Sequence, residues 1–189
     1  SNEHWVDRIC ERYDAVLFDV GNTLVEQAFP GTPLDEVKVI VLRGVVEAVA
    51  ALDGRIVMGL VSNTSEMSAA SIRKFLDSVD LGSPFPVIVA TAELGIHKPD
   101  PAPLVEGARQ LGVDPVRCLY VGDNETDLLA ATRAGMDFCF SGPDLEWILS
   151  RHACNEASSF ARARASQRGV GVDFGRQCED EINSLAKPP

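Results

Sequence analysis

The sequence predicts an α/β protein: a doubly wound, mainly parallel five-stranded sheet with helices on both faces. Three observations carry that expectation. Short apolar runs alternate with amphipathic stretches along the chain, the rhythm of repeated strand–helix units. The runs are almost continuously apolar rather than alternating, as strands covered on both faces must be. Polar, chemistry-bearing residues follow several of the runs directly, and in doubly wound sheets ligands bind at those strand ends.

Taken in order, residues 2–12 read as a short helix before the first strand, Ala15–Val20. Thr32 is placed to cap a helix, with Pro33 at its first position and Asp35 three residues after the cap. That helix is expected to run to about Leu52 and stop at Asp53-Gly54. The next strand is Ile56–Val61, followed by a helix over Ser65–Asp77 and a strand at Val87–Ala90. A helix led by Pro101 should end before Gly112, a strand should cover Cys118–Val121, and a helix over Thr126–Ala134 should end at Gly135, with Phe138–Phe140 as the last strand. Beyond about Arg151 the rhythm fades into an Arg/Ala stretch (Phe160–Arg168), a Gly/Val stretch (Gly169–Gly175) and an acidic run (Glu179–Glu181). The expected organisation is a core domain over 1–150, holding a short insert at 25–54, and a tail over 151–189 that packs on the core or on a second subunit.

Composition narrows the function. The net charge of −11 repels phosphate backbones, so nucleic acid is not an expected partner. No apolar run approaches the roughly 18 residues of a membrane helix, and no membrane association is expected. Five cysteines form no C-x-x-C pair, which argues against zinc, and their odd number fits a reducing compartment. With a polar, acidic N-terminal stretch that does not resemble a secretory signal, the expected location is cytoplasmic. Cys118 and Cys139 sit in apolar runs and read as core; Trp5 and Trp147 read as packing near the chain ends.

Four segments carry the chemistry: F-D-V-G-N-T-L (Phe18–Leu24), V-S-N-T (Val61–Thr64), G-I-H-K-P-D-P (Gly95–Pro101) and Y-V-G-D-N-E-T-D (Tyr120–Asp127). An Asp closing an apolar strand is costly to desolvate unless a cation answers it. Gathered at one sheet edge, the segments supply Asp19, Asp123 and Asp127, the Ser62 hydroxyl and the Lys98 ammonium. Carboxylate oxygens suit Mg²⁺, a lysine neutralises phosphoryl charge, and a carboxylate can attack phosphorus. The bland readings are a helix cap for Ser62, a cap and a first-turn charge for Asp123 and Asp127, and a surface lysine for Lys98.

In this order the four segments resemble the four motifs of the haloacid dehalogenase superfamily, over about Tyr13 to Phe140. The likeness is closest from His97 to Met136, where K-P-D-P, V-G-D-N-E-T-D and A-A-T-R-A-G-M are similar to the phosphatase-rich branch that includes phosphoglycolate phosphatases. The resemblance implies a Rossmann-like core and a Mg²⁺-dependent phosphohydrolase working through an aspartyl phosphate. It implies Asp19 as nucleophile and metal ligand, the Gly21 carbonyl and Asp123 as further ligands, and Asp127 as support for the metal or for Lys98. Ser62 and the backbone N–H groups of Val20 and Asn63 would hold phosphoryl oxygens, and Lys98 would bridge Asp19 and the phosphoryl group. The substrate would be a phosphorylated small molecule or an accessible macromolecular phosphoester.

Two departures qualify this. Phosphatases of the family usually read D-x-D in the first motif, and here Gly21 replaces the second Asp. That carboxyl protonates the leaving group, a contribution worth roughly 10²–10⁴ in rate. Its absence points to a substrate with a good leaving group, to a substitute residue (Glu26 and His97 are nearest in sequence), or to binding without turnover. The second departure is size: the insert is too short for the helical cap of many relatives, so the protein is expected to be capless or minimally capped. The tail is then a candidate lid, within one copy or across a homodimer. Two alternative functions stand beside the phosphohydrolase: a non-catalytic or weakly active binding module on the same fold, and a haloacid dehalogenase proper, which would not require Asp123 and Asp127.

Overall fold

The structure, a computed structural model, describes residues 4–27, 32–33 and 35–155. Five strands form one sheet: β1 (Ala15–Phe18), β2 (Val57–Ser62), β3 (Val87–Ala90), β4 (Cys118–Gly122) and β5 (Asp137–Phe140). Their order is β3-β2-β1-β4-β5, and every neighbouring pair is parallel. The chain winds outward from β1 to β3, then crosses back to β4, so the winding reverses between β1 and β4. In doubly wound sheets this switch point opens a crevice at the carboxyl ends of the strands. Phe18 pairs with Val121 across it, so the residues that follow these strands emerge side by side.

The uniform apolarity of the strands is explained by two separate cores. Val16, Phe18, Met58, Leu60, Leu119 and Val121 face one side, against α1 (His4–Arg12), α2 (Val45–Leu52), α3 (Ala69–Asp77) and α7 (Leu145–Cys154). Ala15, Leu17, Val61, Val89, Cys118 and Tyr120 face the other, against α5 (Ala102–Leu111) and α6 (Glu125–Ala134). Successive strand residues point to opposite faces, and both faces are covered. Cys118 and Cys139 are buried, free thiols. Trp5 is buried, while Trp147 is half-buried with the Arg151 guanidinium 5.1 Å from its ring centre.

The local signals set most helix ends. Pro101 leads α5 and Gly112 closes it in a left-handed conformation. The Asn124 side chain caps α6 by accepting from the Asp127 N–H. Ser68 caps α3 in the same way, which moves that helix start from the expected Ser65 to Ala69. Two helices were not legible as separate elements: α4 (Thr91–Leu94), a single turn after β3, and α7, capped by Asp144.

The helix expected from Thr32 to Leu52 is corrected. Only Val45–Leu52 is helical, and it starts after Gly44, whose φ of 77° lies in the left-handed region. Upstream, the run Val39-Ile40-Val41 is β-branched and strand-like. Val25 and Val41 form an antiparallel bridge, Glu26 N–H donates to the Ile40 carbonyl, and Leu42 N–H donates to the Leu24 carbonyl. Val39, Val41 and Leu42 pack on the core from this extended path. Lys38, expected on the helix, lies exposed outside it.

Beyond Asn155 the tail, with its expected lid role, lies outside the described residues, as does Phe29, which the sequence reads as a packing residue. No helix among the described residues is long and apolar enough to cross a membrane.

Candidate active site

The carboxyl edge at the switch point is organised around one buried ammonium. Lys98 is 5% exposed. Its Nζ donates to Asp19 Oδ1 at 3.0 Å, Asp127 Oδ1 at 2.7 Å, the Tyr120 hydroxyl at 2.7 Å and the Val61 carbonyl at 3.1 Å. An ammonium has three N–H donors, so these acceptors satisfy it fully. An unpaired buried cation would cost several kcal/mol, which is why this lysine enters the interior only beside carboxylates.

The backbone around Lys98 is clamped from the neighbouring strand. Asn63, just past the end of β2, donates from Nδ2 to the Lys98 carbonyl at 3.0 Å and accepts the Lys98 N–H on Oδ1 at 2.9 Å. Ser62, at the tip of β2, is half-buried beside this clamp. Tyr120 was not singled out by sequence reasoning. Its ring lies in a fully buried strand, and its hydroxyl sits 3.1 Å from the Val61 carbonyl and 3.2 Å from Asp127 Oδ1 while accepting from Lys98. The available signal was a polar-tipped aromatic in an otherwise apolar strand, whose hydroxyl must find a partner.

Asp127 stands in the first turn of α6 and is 1% exposed. Its Oδ1 faces Lys98 and its Oδ2 accepts the Asp123 N–H at 3.1 Å. The approach depends on Gly122: a Cβ there would lie 2.5 Å from Asp127 Cγ. Carboxylate oxygens of Asp19, Asp123 and Asp127 all fall within 4.8 Å of one another. Asp123 Oδ1 is buried and has no hydrogen-bond partner, an arrangement proteins rarely leave unanswered. Burial pushes the Asp19 carboxyl up to about 7; Lys98 pulls against that rise, and the charge of Asp127 adds to it. Three acidic groups against one ammonium, with one oxygen orphaned, form a donor set that fits a hard divalent cation.

After β1 the chain curls back. The Val20 carbonyl accepts from Leu24 N–H at 2.9 Å and lies 3.3 Å from the N–H groups of Thr23 and Val25. Gly21 bridges Val25 in this curl and has no left-handed φ. Neither sequence candidate for replacing an acid at this position supplies one of the three atoms nearest to a Cβ built on Gly21. The His97 Nδ1 is engaged 2.7 Å from Thr91 Oγ1, and Glu26 is exposed, its backbone N–H donating to the Ile40 carbonyl. What lies over Gly21 is Gln27, whose Cβ would be 3.6 Å from a Cβ built there. A cavity of about 360 Å³ opens beside this loop, lined by Asn22, Thr23, Leu42, Arg43 and Ser141–Pro143. The Ser141 N–H donates to the Gly122 carbonyl, which ties that wall to the carboxylate edge.

Against known proteins, a family model described as haloacid dehalogenase-like hydrolase matches residues 32–141, more than half of the chain. The span takes in Ser62, Asn63, Lys98, Asp123 and Asp127 and begins after Asp19. A phosphoglycolate phosphatase of Xylella fastidiosa is 39% identical over 80 residues, 42% of this chain and 34% of that protein. A glyceraldehyde 3-phosphate phosphatase of Methanopyrus kandleri is 45% identical over 53 residues, 28% of this chain and 23% of that protein. The chain thus matches about a third or less of the length of these curated relatives. The crystal structure of a haloacid dehalogenase-superfamily hydrolase from Geobacter sulfurreducens superposes with a TM-score of 0.60 at 19% identity, covering 74% of this chain and 99% of that one; the two share the fold.

Proposed function

This chain belongs to the haloacid dehalogenase-like hydrolase family, and on that premise we propose that it is a Mg²⁺-dependent phosphohydrolase acting through an aspartyl phosphate on Asp19. The observation that carries the reading is the buried Lys98 ammonium joining Asp19 to Asp127, beside the orphaned Asp123 oxygen. Phosphoryl transfer needs little from a protein beyond positioning and charge neutralisation, and these residues supply both. The matched relatives named as phosphatases act on small phosphorylated compounds by their names, which supports that substrate class.

Asp19 attacks phosphorus with one carboxylate oxygen while the bond to the leaving-group oxygen breaks; water then cleaves the acyl phosphate and frees Asp19. Lys98 offsets charge on the phosphoryl oxygens and holds Asp19 in place. Ser62 and the backbone N–H groups of Val20 and Asn63 hold the remaining phosphoryl oxygens. Asp19, Asp123 and the Gly21 carbonyl would hold Mg²⁺, with Asp127 adding negative charge while it anchors Lys98. When bound, the ion supplies charge neutralisation to the phosphoryl group. With Gly21 where an acid would stand, leaving groups that need no proton are favoured: acyl and aryl phosphates over alkyl esters.

The test is phosphate release from acetyl phosphate and p-nitrophenyl phosphate, with and without Mg²⁺, for the wild type and Asp19→Asn. Release that needs both the ion and Asp19 is the expected result. Mg²⁺ binding without turnover of either substrate would favour a binding module, for which Gly21 is the motivating observation. Halide release from a haloacid in the presence of EDTA would favour a dehalogenase.

A further inference from the structure

The space beside Gly21 is covered by a side chain whose orientation can be deduced. Gln27 returns over Gly21 because the loop curls: Asn22 N–H donates to the Val25 carbonyl at 2.7 Å, and Asn22 itself takes a φ of 58°. The Gln27 backbone N–H can only donate, and it lies 3.3 Å from Asn22 Oδ1. That fixes which end of the Asn22 amide is oxygen. The other end, Nδ2, can only donate, so the Gln27 atom 3.0 Å from it is Oε1. The carboxamide of Gln27 is therefore held by its oxygen and presents its NH₂ outward. No acceptor for that NH₂ is found among the described residues, and the side chain is exposed at the open edge. Its Cβ and Cγ lie 3.6 and 3.7 Å from a Cβ built on Gly21, so the Gln27 stem lies against Gly21 and carries the amide at its end, beside Asn22.

We propose that Gln27 is a catalytic residue whose NH₂ hydrogen-bonds the leaving-group oxygen of a phosphate ester. The proposal rests on the phosphohydrolase reading above. In the step it assists, an Asp19 oxygen bonds to phosphorus as the bond from phosphorus to the leaving oxygen breaks. The leaving group departs with the electron pair and takes its proton from solvent; the amide keeps both of its own. A neutral donor of this kind strengthens as charge grows on the departing oxygen, so it acts on the transition state more than on the bound substrate. It cannot replace proton transfer, and so it confines the enzyme to weakly basic leaving groups. Asn22 is a positioning residue in this account, acting only through the Gln27 oxygen.

The experiment compares the full chain with Gln27→Ala and Gln27→Glu on aryl phosphates of graded leaving-group acidity. The loss of one hydrogen bond predicts a fall in kcat of about tenfold for Gln27→Ala, with KM nearly unchanged. Its dependence on leaving-group pKa steepens. Gln27→Glu acquires an acidic limb in its pH profile and regains rate on the most basic leaving groups. A second readout needs no turnover: orthovanadate, whose five-coordinate adduct places an oxygen at the leaving position, should bind Gln27→Ala about tenfold more weakly. Wild-type slope together with wild-type vanadate affinity in Gln27→Ala would overturn the role of Gln27 alone. A wild type that neither turns over aryl phosphates nor binds vanadate would overturn the phosphohydrolase reading, and this role with it.

Discussion

Replacing Gly122 by alanine places a methyl carbon 2.5 Å from Asp127 Cγ and Oδ2. Van der Waals contact requires an opening of about 1 Å. Asp127 cannot yield that distance freely, because the Asn124 cap holds its backbone at the start of α6. Its carboxylate must turn, and a 1 Å displacement, roughly, carries the 2.7 Å bond from Lys98 and the 3.1 Å bond from the Asp123 N–H out of hydrogen-bonding range. Charge-assisted bonds are worth roughly 1.5–3 kcal/mol each, so two bound the loss at about 3–6 kcal/mol; partial relaxation favours the lower end. For a chain of this length 3 kcal/mol corresponds to a fall in Tm of roughly 10 °C. The assay is a double-mutant cycle by urea denaturation, with Asp127→Ala as the second substitution. Asp127→Ala removes Cγ and Oδ2 but keeps the Cβ, 2.6 Å from the new methyl group, so Gly122→Ala should still carry a cost there, smaller than in the wild type by the two bonds that are no longer there to lose. An equal cost in both backgrounds would refute the reasoning, since the glycine would then serve the strand and not the carboxylate.

Two further predictions concern the loop after β1 and the far edge of the sheet. Gly21→Asp is sterically open, meeting only the Gln27 stem at 3.6 Å, and restores a carboxyl two residues after the nucleophile; turnover of an alkyl phosphate should rise by about 10²-fold or more, and unchanged rates would show that Gly21 does not limit leaving-group scope. At the opposite edge, burial pushes the Asp137 carboxyl up, but His152, 3.6 Å away, and the Tyr13 hydroxyl more than offset it, holding Asp137 below the usual carboxylate range. A carboxyl depressed by folding stabilises the protein above its unfolded pKa and loses that contribution as pH falls through its folded pKa. Tyr13→Phe should therefore cost about 1 kcal/mol at pH 7, with the deficit shrinking below about pH 4; a deficit equal at pH 3 and pH 7 in thermal melts would break this account.

What could be read from the sequence divides along a physical line. Asp19, Asp123 and Lys98 were legible because each follows an element whose position the sheet dictates. Once Phe18 and Val121 pair across the switch point, the residues after them have nowhere else to emerge. The stretch from Thr32 to Gly44 was misread because its cap signals are local and weak. A cap is worth about 1 kcal/mol, whereas the extended path gains hydrogen bonds to residues 24–26 and packs Val39, Val41 and Leu42 on the core. Those partners are not adjacent in sequence, so no window over residues 32–52 could weigh them. Gln27 escaped notice for the same reason: it comes over Gly21 because the bonds from Leu42 N–H to the Leu24 carbonyl and from Glu26 N–H to the Ile40 carbonyl hold the loop in place. The identity of residue 21 therefore does not by itself decide the chemistry at that position. An absent carboxyl is read differently when the loop lays a glutamine stem against the vacant position, its amide oriented by Asn22, and the path of that loop is set by the misread segment.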